Sequence, residues 1–381
     1  MKKCILIPDS FKGSMSSIQI CETMQKAILE QFPGCEVISL PVADGGEGTL
    51  DAFEFALPSR RIQLQAAGPL WEPLQADYLI AEDTAILEAA QTTGLPLIAD
   101  HLNPEKTTSY GLGEIMRNAL EQGARKIIVG IGGTSTNDLG TGLASALGMR
   151  FLNARGEVFT PTGGTLKDID RIDASQLPAS LCETEVIAIC DVDNPLYGPQ
   201  GAAAIYGPQK GADEAMVARL DKGMCHAAEI IQRDLCVDLT SLPGAGAGGG
   251  LGGGLVAFCG AKLVPGIDTI LSAVGFDRHL QDCDMVFTGE GRLDGQSLRG
   301  KAVTGIARRA KVVGVPVIAL VGEVEPGYRA VYEEGVTAIF TINRKAMRFA
   351  DSKQFSREWL YDTVESILRC LQSGIDMRSR W

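Results

Sequence analysis

The chain has 381 residues, 45% of them apolar and 22% charged, with a formal net charge of −12. That length predicts two domains with ample core, and the acidic balance speaks against nucleic acid or an anionic membrane as a main partner. No apolar run reaches the roughly 18 residues of a membrane helix, and the first apolar stretch stops at Pro8-Asp9, too short for a signal core.

The ten cysteines form no Cys-x-x-Cys pair, which predicts reduced thiols in a cytoplasmic protein. Glycine is the outlier: 45 residues, against a usual share of roughly 7%. The excess is clustered, so local backbone geometry is being specified.

Lys3 to Ile7 reads as a strand, Ser16 to Phe32 as a helix stopped by Pro33-Gly34, and Val37 to Val42 as a second strand. Arg61 to Ala66 and Gln75 to Glu88 alternate, as antiparallel strands do. Then come a helix over 107–122, a strand over 126–131, a helix over 137–147, a loop-rich stretch over 156–173, a strand over 186–190 and a helix over 213–234. The C-terminal part returns to strand–helix alternation: a strand over 285–288, a helix over 301–310, strands over 315–321 and 336–342, and a closing helix over 355–371. Apolar strands with helices between them suit a buried parallel sheet. The expected organisation is α/β throughout. A discontinuous doubly wound domain (flavodoxin- or Rossmann-like) takes residues 1–65 and 281–381, with a mixed α/β domain of residues 66–280 inserted.

Several loops share one plan, in which an apolar strand ends and small or acidic residues follow. Ile7 leads to Asp9, Ser10, Lys12 and Ser14. Val42 leads to Asp44-Gly45-Gly46-Glu47-Gly48-Thr49. Val129 leads to Gly132-Gly133-Thr134-Ser135-Thr136-Asn137-Asp138, and Ile189 to Asp191, Asp193 and Asn194. Thr288 leads to Gly289-Glu290-Gly291-Arg292-Leu293-Asp294. Any one of these could be an ordinary turn, but together they are too many. Ligands in open α/β sheets bind at the carboxyl ends of strands. Glycine loops with Ser, Thr and Lys suit phosphate, and repeated carboxylates suit Mg²⁺. That is the inventory of phosphoryl transfer.

Other motifs are weaker. The stretch from Gly244 to Gly254 contains G-x-G-x-x-G twice, starting at Gly244 and Gly248, but no strong strand runs into it, as a dinucleotide fingerprint requires. It reads better as a flexible loop that approaches phosphate closely. Gly295 to Ala302 nearly matches a P-loop, yet Ala302 replaces the metal-binding hydroxyl. Lys301 there, and Lys210 after Tyr206-Gly207-Pro208, are placed to neutralise an anion. The three histidines are isolated, which argues against a His triad or a zinc site.

The ordered set of motifs resembles the bacterial type 1 glycerate kinases. It runs from Pro8-Asp9-Ser10-Phe11-Lys12-Gly13-Ser14 through the Asp44, Gly132 and Asp191 loops. It continues with Gly207-Pro208-Gln209-Lys210-Gly211-Ala212 and Pro243-Gly244-Ala245-Gly246, and ends at Thr288 to Asp294. One departure is Thr134-Ser135-Thr136, where the family pattern has Ser-Ala-Thr. The resemblance implies two α/β domains with the active site in the cleft between them, and ATP-dependent phosphorylation of D-glycerate, with the 2-hydroxyl as the expected acceptor and the 3-hydroxyl as the alternative.

Within that expectation the catalytic candidates are Asp191, Asp44 and Lys12, with either aspartate able to take the hydroxyl proton. Ser10, Ser14, Arg292 and Lys301 are the substrate candidates. Gly132, Gly133, Thr134, Asn137, Asp138, Gly244, Gly246, Gly248 and Lys210 stand on the nucleotide side, and Asp44, Asp191 and Glu290 near Mg²⁺. D-Glycerate and ATP are the implied partners, and the oligomeric state is left open.

Overall fold

A computed structural model describes residues 1–43, 45–46, 48–293 and 302–378. Asp44, Glu47, residues 294–301 (the near P-loop up to Lys301) and the last three residues lie outside it. The strands, in chain order, are β1 Lys3–Pro8, β2 Glu36–Ser39, β3 Arg60–Ala67, β4 Pro73–Ala81, β5 Thr84–Glu88, β6 Lys126–Gly130, β7 Arg150–Leu152, β8 Val158–Phe159, β9 Arg171–Asp173, β10 Glu185–Ile189, β11 Lys262–Val264, β12 Met285–Leu293, β13 Val317–Val324 and β14 Val336–Thr341. The chain divides into two compact units: Met1–Asp44 with Asp51–Leu57 and Gly266–Trp381, and Gly45–Leu50 with Pro58–Pro265.

The first unit holds a five-stranded, wholly parallel sheet in the order β2-β1-β12-β13-β14. Allowing for the insertion, that is the flavodoxin-like order, whose switch point lies between β1 and β12. Cys4, Leu6, Phe287, Ile318 and Leu320 point to a core shared with the helices Ser17–Gln31 and Ser356–Arg378. The helix Ala302–Val312 packs on the same sheet and buries Val303, Ile306 and Ala307. Each fully buried Leu, Ile or Phe contributes about 1.5–3 kcal/mol.

The first helix begins one residue later than its periodicity suggests. Ser16 is its cap: the Ser16 hydroxyl accepts from Gln19 N (3.2 Å) and the Gln19 amide oxygen accepts from Ser16 N (3.0 Å).

The second unit holds a six-stranded mixed sheet in the order β11-β10-β6-β5-β4-β3. β5, β6, β10 and β11 run parallel, while β3 and β4 form an antiparallel hairpin that joins the edge at β5. In a small sheet, β8-β7-β9, two short strands, β8 and β9, come from the stretch expected to be loop-rich. The long helix Glu214–Leu235 is capped by Asp213, whose carboxylate accepts from Met216 N at 2.7 Å.

Three local expectations are corrected. The strand from Met285 does not stop at Thr288, because Gly289 to Leu293 continue as β12 and pair with β13 through Val324. The helix expected from Asn137 begins only at Thr141, since Leu139 (φ +55°) and Gly140 (φ +69°) are left-handed. The end of the expected loop, Leu251 to Gly254, is helical: Leu251–Cys259 is a helix that Gly250 precedes. Its glycines permit backbone contact, and a Cβ on Gly254 would lie 2.1 Å from the Leu139 carbonyl oxygen.

Candidate active site

In the first unit the switch point gathers Asp9, Ser10, Lys12, Ser14, Glu290 and Arg292. Asp9 follows β1 directly and is 9% exposed; its N–H donates to the Gly289 carbonyl at 2.9 Å. Its carboxylate accepts from Ser10 N at 2.6 Å. Ser14 donates to the Phe11 carbonyl at 3.2 Å, within a tight turn that leaves Lys12 exposed. Glu290 is buried in β12, two strand positions beyond Thr288, whose hydroxyl donates to the Ile7 carbonyl at 2.9 Å. Arg292 contacts two carboxylates on or beside β13, Glu323 at 3.5 Å and Glu325 at 3.2 Å. An anion binding there meets a guanidinium whose charge is already partly neutralised.

In the second unit the ends of β5, β6 and β10 meet the turn that opens with Gly45. Gly45 sits at φ +80°, and a Cβ on it would lie 2.3 Å from Ile189 Cγ2, at the end of β10. Its carbonyl oxygen accepts from Gly132 N at 3.1 Å, and a Cβ on Gly130 would lie 2.4 Å from that oxygen. Further along, the Thr49 hydroxyl donates to the Gly46 carbonyl at 2.7 Å, and Leu50 N donates to Glu88 Oε2 at 3.3 Å. The turn is thus pinned over three strand ends, one of which delivers Asp191, half-buried.

The sequence reading missed Glu88. It closes β5 and is 2% exposed, but it has no glycine beside it to mark it. The available signal was a charged residue ending an apolar run. Asp9 was seen in its loop and given no role.

The Gly132–Asp138 stretch divides by depth. Gly132 is half-buried and Gly133 exposed, while Thr134 to Asp138 are buried. The Asp138 carboxylate accepts from Ser109 N and Ser109 Oγ (both 2.8 Å), from Gly140 N (3.1 Å) and from Gly142 N (3.3 Å). It therefore caps the helix Thr141–Ala146. Its burial pushes the carboxyl upward against the pull of those donors. Thr136 Oγ1 and both side-chain amide atoms of Asn137 are buried with no hydrogen-bond partner among the described residues.

Gly244 and Gly246 pack on the Asp191 loop. A Cβ on Gly244 would lie 3.0 Å from the Val192 carbonyl oxygen, and Gly246 N donates to the Asn194 carbonyl at 3.0 Å. Gly248 packs on the Ile131 carbonyl. No strand runs into this segment, so the dinucleotide fingerprint has no structural counterpart.

Lys210 is 2% exposed, and its ammonium donates to the Thr136 carbonyl at 2.6 Å and to Thr134 Oγ1 at 3.3 Å. Burial pulls it down to about 7, opposed by the Asp138 carboxylate. A lysine whose folded pKa lies below its unfolded value releases a proton on folding. The resulting cost is full below about pH 7 and is relieved as pH rises toward the unfolded value of 10.5. Wild type is therefore expected to gain stability relative to Lys210→Met between pH 7 and 10, read by denaturant titration. A difference that does not move with pH would contradict this.

Among the described residues no three His, Cys, Asp or Glu side chains cluster as a metal site. Asp44 and Lys301, expected at the metal and at an anion, lie outside the described residues. An apolar cavity of about 460 Å³ in the first unit, lined in part by Ile318, Phe340, Ile367 and Leu371, contains none of the strand-end residues.

Two sets of carboxylates, hydroxyls and glycine turns at the carboxyl ends of parallel strands suit a small anionic substrate and a nucleotide. Known proteins agree. A model of the glycerate kinase family matches residues 4–372. A glycerate kinase of Bacillus cereus is 42% identical over 368 residues, covering 96% of this chain and 97% of that protein. A glycerate 2-kinase of Escherichia coli K12 is 42% identical over 343 residues, covering 89% and 90%. A crystal structure from Salmonella typhimurium LT2 that carries the name glycerate kinase 2 superposes with a TM-score of 0.88 at 37% identity, covering 98% and 99%. A family model, a relative at 42% identity and a superposable fold, each over nearly the whole length, place this chain in the glycerate kinase family.

Proposed function

We propose that the chain transfers the γ-phosphoryl group of MgATP to the 2-hydroxyl of D-glycerate, giving 2-phosphoglycerate and ADP. The observation that carries this reading is the full-length match to the family, and the Escherichia coli relative's name favours the 2-position. Ten free thiols, and no helix among the described residues long and apolar enough to cross a membrane, support a cytoplasmic setting.

Such transfer needs positioning and charge neutralisation more than covalent help. Asp191 is the general base that accepts the hydroxyl proton, with Asp44 as its competitor. Asp44, Asp191 and Glu290 are the residues that would hold Mg²⁺, which needs only one or two protein carboxylates beside the triphosphate and would supply charge neutralisation at the transferring phosphoryl group. Ser10, Ser14, Lys12, Arg292 and Lys301 answer the glycerate carboxylate and the phosphate. Glu323 and Glu325 already engage Arg292. Gly133, on the exposed part of its loop, presents its backbone N–H to the nucleotide, backed by Gly132, whose own N–H is held by the Gly45 carbonyl, and by Thr134, Asn137, Asp138, Gly244, Gly246 and Gly248.

The direct test is ADP release from MgATP in the presence of D-glycerate. Release that does not depend on D-glycerate would refute the assignment. Lys12→Ala is expected to raise KM for D-glycerate about tenfold, the size of one charge-assisted hydrogen bond. Unchanged steady-state kinetics would make Lys12 a bystander.

A further inference from the structure

Among the described residues Lys210 is the one buried cation. It ends the single turn Pro208–Lys210, after which Gly211 (φ +94°) redirects the chain. Two separate stretches converge on its ammonium. Thr136 O and Thr134 Oγ1 accept from it, and the Cα of Gly249 faces it so closely that a Cβ there would lie 2.8 Å from Nζ and 1.9 Å from the Thr136 oxygen. Gly249 is tied to the other loop as well, since its carbonyl accepts from Leu139 N at 3.3 Å.

In the loop it grips, Thr136 Oγ1 and the Asn137 amide find no partner among the described residues, while Ser135 and Asp138 on either side are tied to Thr93 and Ser109. An ammonium this enclosed does not reach a surface-bound phosphate. We propose that Lys210 is a positioning residue rather than a phosphate ligand: its ammonium, bonded to Thr134 and Thr136 and packed on Gly249, sets the spacing of the two glycine-rich loops that receive the nucleotide. Asp138 is the charged group that offsets part of its desolvation. This role rests on the kinase reading above.

The test compares wild type with Lys210→Met in steady-state assays that vary MgATP and D-glycerate separately. Displaced loops are expected to lower kcat/KM for ATP by about 10–100-fold, with KM for D-glycerate within about twofold of wild type. The melting temperature and near-ultraviolet circular dichroism of the variant are recorded in parallel. A folded variant with kcat/KM for ATP within about threefold of wild type overturns the proposal. So does an equal rise in both KM values, which would mark general loosening.

If Lys210→Met does not fold, the wild-type protein carries the test. Acylation of Lys210 by an amine-reactive reagent, followed by peptide mass mapping, is expected to slow at least tenfold with MgATP at about 100 times its Kd, and not with D-glycerate alone. Equal labelling rates with and without MgATP overturn the proposal. Wild type without turnover would refute the kinase reading itself, whereas an active wild type with an unaffected variant refutes only the role of Lys210.

Discussion

Asp191→Asn is expected to leave the fold intact and to lower kcat by at least about 100-fold, the usual contribution of a positioned general base. The substitution keeps the shape and hydrogen-bonding reach of the side chain and removes its capacity to take a proton. Asp191 is singled out by where it stands. It follows β10, whose last residue, Ile189, is pressed by Gly45. It lies beside the loop from Gly132, and the Gly244–Gly246 turn packs on the residues just after it. Loss of kcat with KM values near wild type would fit a proton-transfer role. Near-normal turnover would remove Asp191 from that role and pass it to Asp44.

The second large effect is expected from Gly130→Ala. Gly130 ends a regular strand in a conformation open to any residue, and local propensity alone favours alanine over glycine there. The tertiary contact reverses this. The new Cβ would meet the Gly45 carbonyl oxygen at 2.4 Å, a backbone atom that has no rotamer to escape into. The Gly45–Thr49 turn must then move off the strand ends, and with it the hydrogen bond from Gly132 N. Overpacking of this kind costs about 1–3 kcal/mol of stability, and a displacement near 1 Å at a reacting centre can cost about 100-fold in rate. Thermal melts and kcat measured together check both. Wild-type turnover from Gly130→Ala would show that the seating of the turn does not matter to the chemistry.

Much of this was legible in the sequence because two kinds of signal agreed. Apolar runs such as Cys4 to Ile7, Ile127 to Val129 and Val186 to Ile189 are buried on both faces of a parallel sheet, so they read as strands without any partner in view. The loops after them stood out through glycine and aspartate. What stayed hidden depends on partners distant in sequence. Gly289 to Leu293 look like a turn but pair as a strand, because β13 offers a continuous ladder through Val324. Gly252 to Gly254 look flexible but lie in a helix, because the Gly244, Ala245 and Leu139 carbonyls press on them. Lys210 reads as a lysine placed to neutralise an anion and instead points inward, toward acceptors more than 70 residues away. Glu88 is a carboxylate whose role depends on a turn 38 residues earlier. Single-residue composition carries none of these relations.

The central claim is phosphoryl transfer from ATP to the secondary hydroxyl of D-glycerate, and phosphorus NMR of the product tests it most directly. Incubation of the protein with MgATP and D-glycerate is expected to yield ADP and a phosphate ester split into a doublet by the single proton on C2. A triplet from the two protons on C3, or no new ester at all, would contradict it.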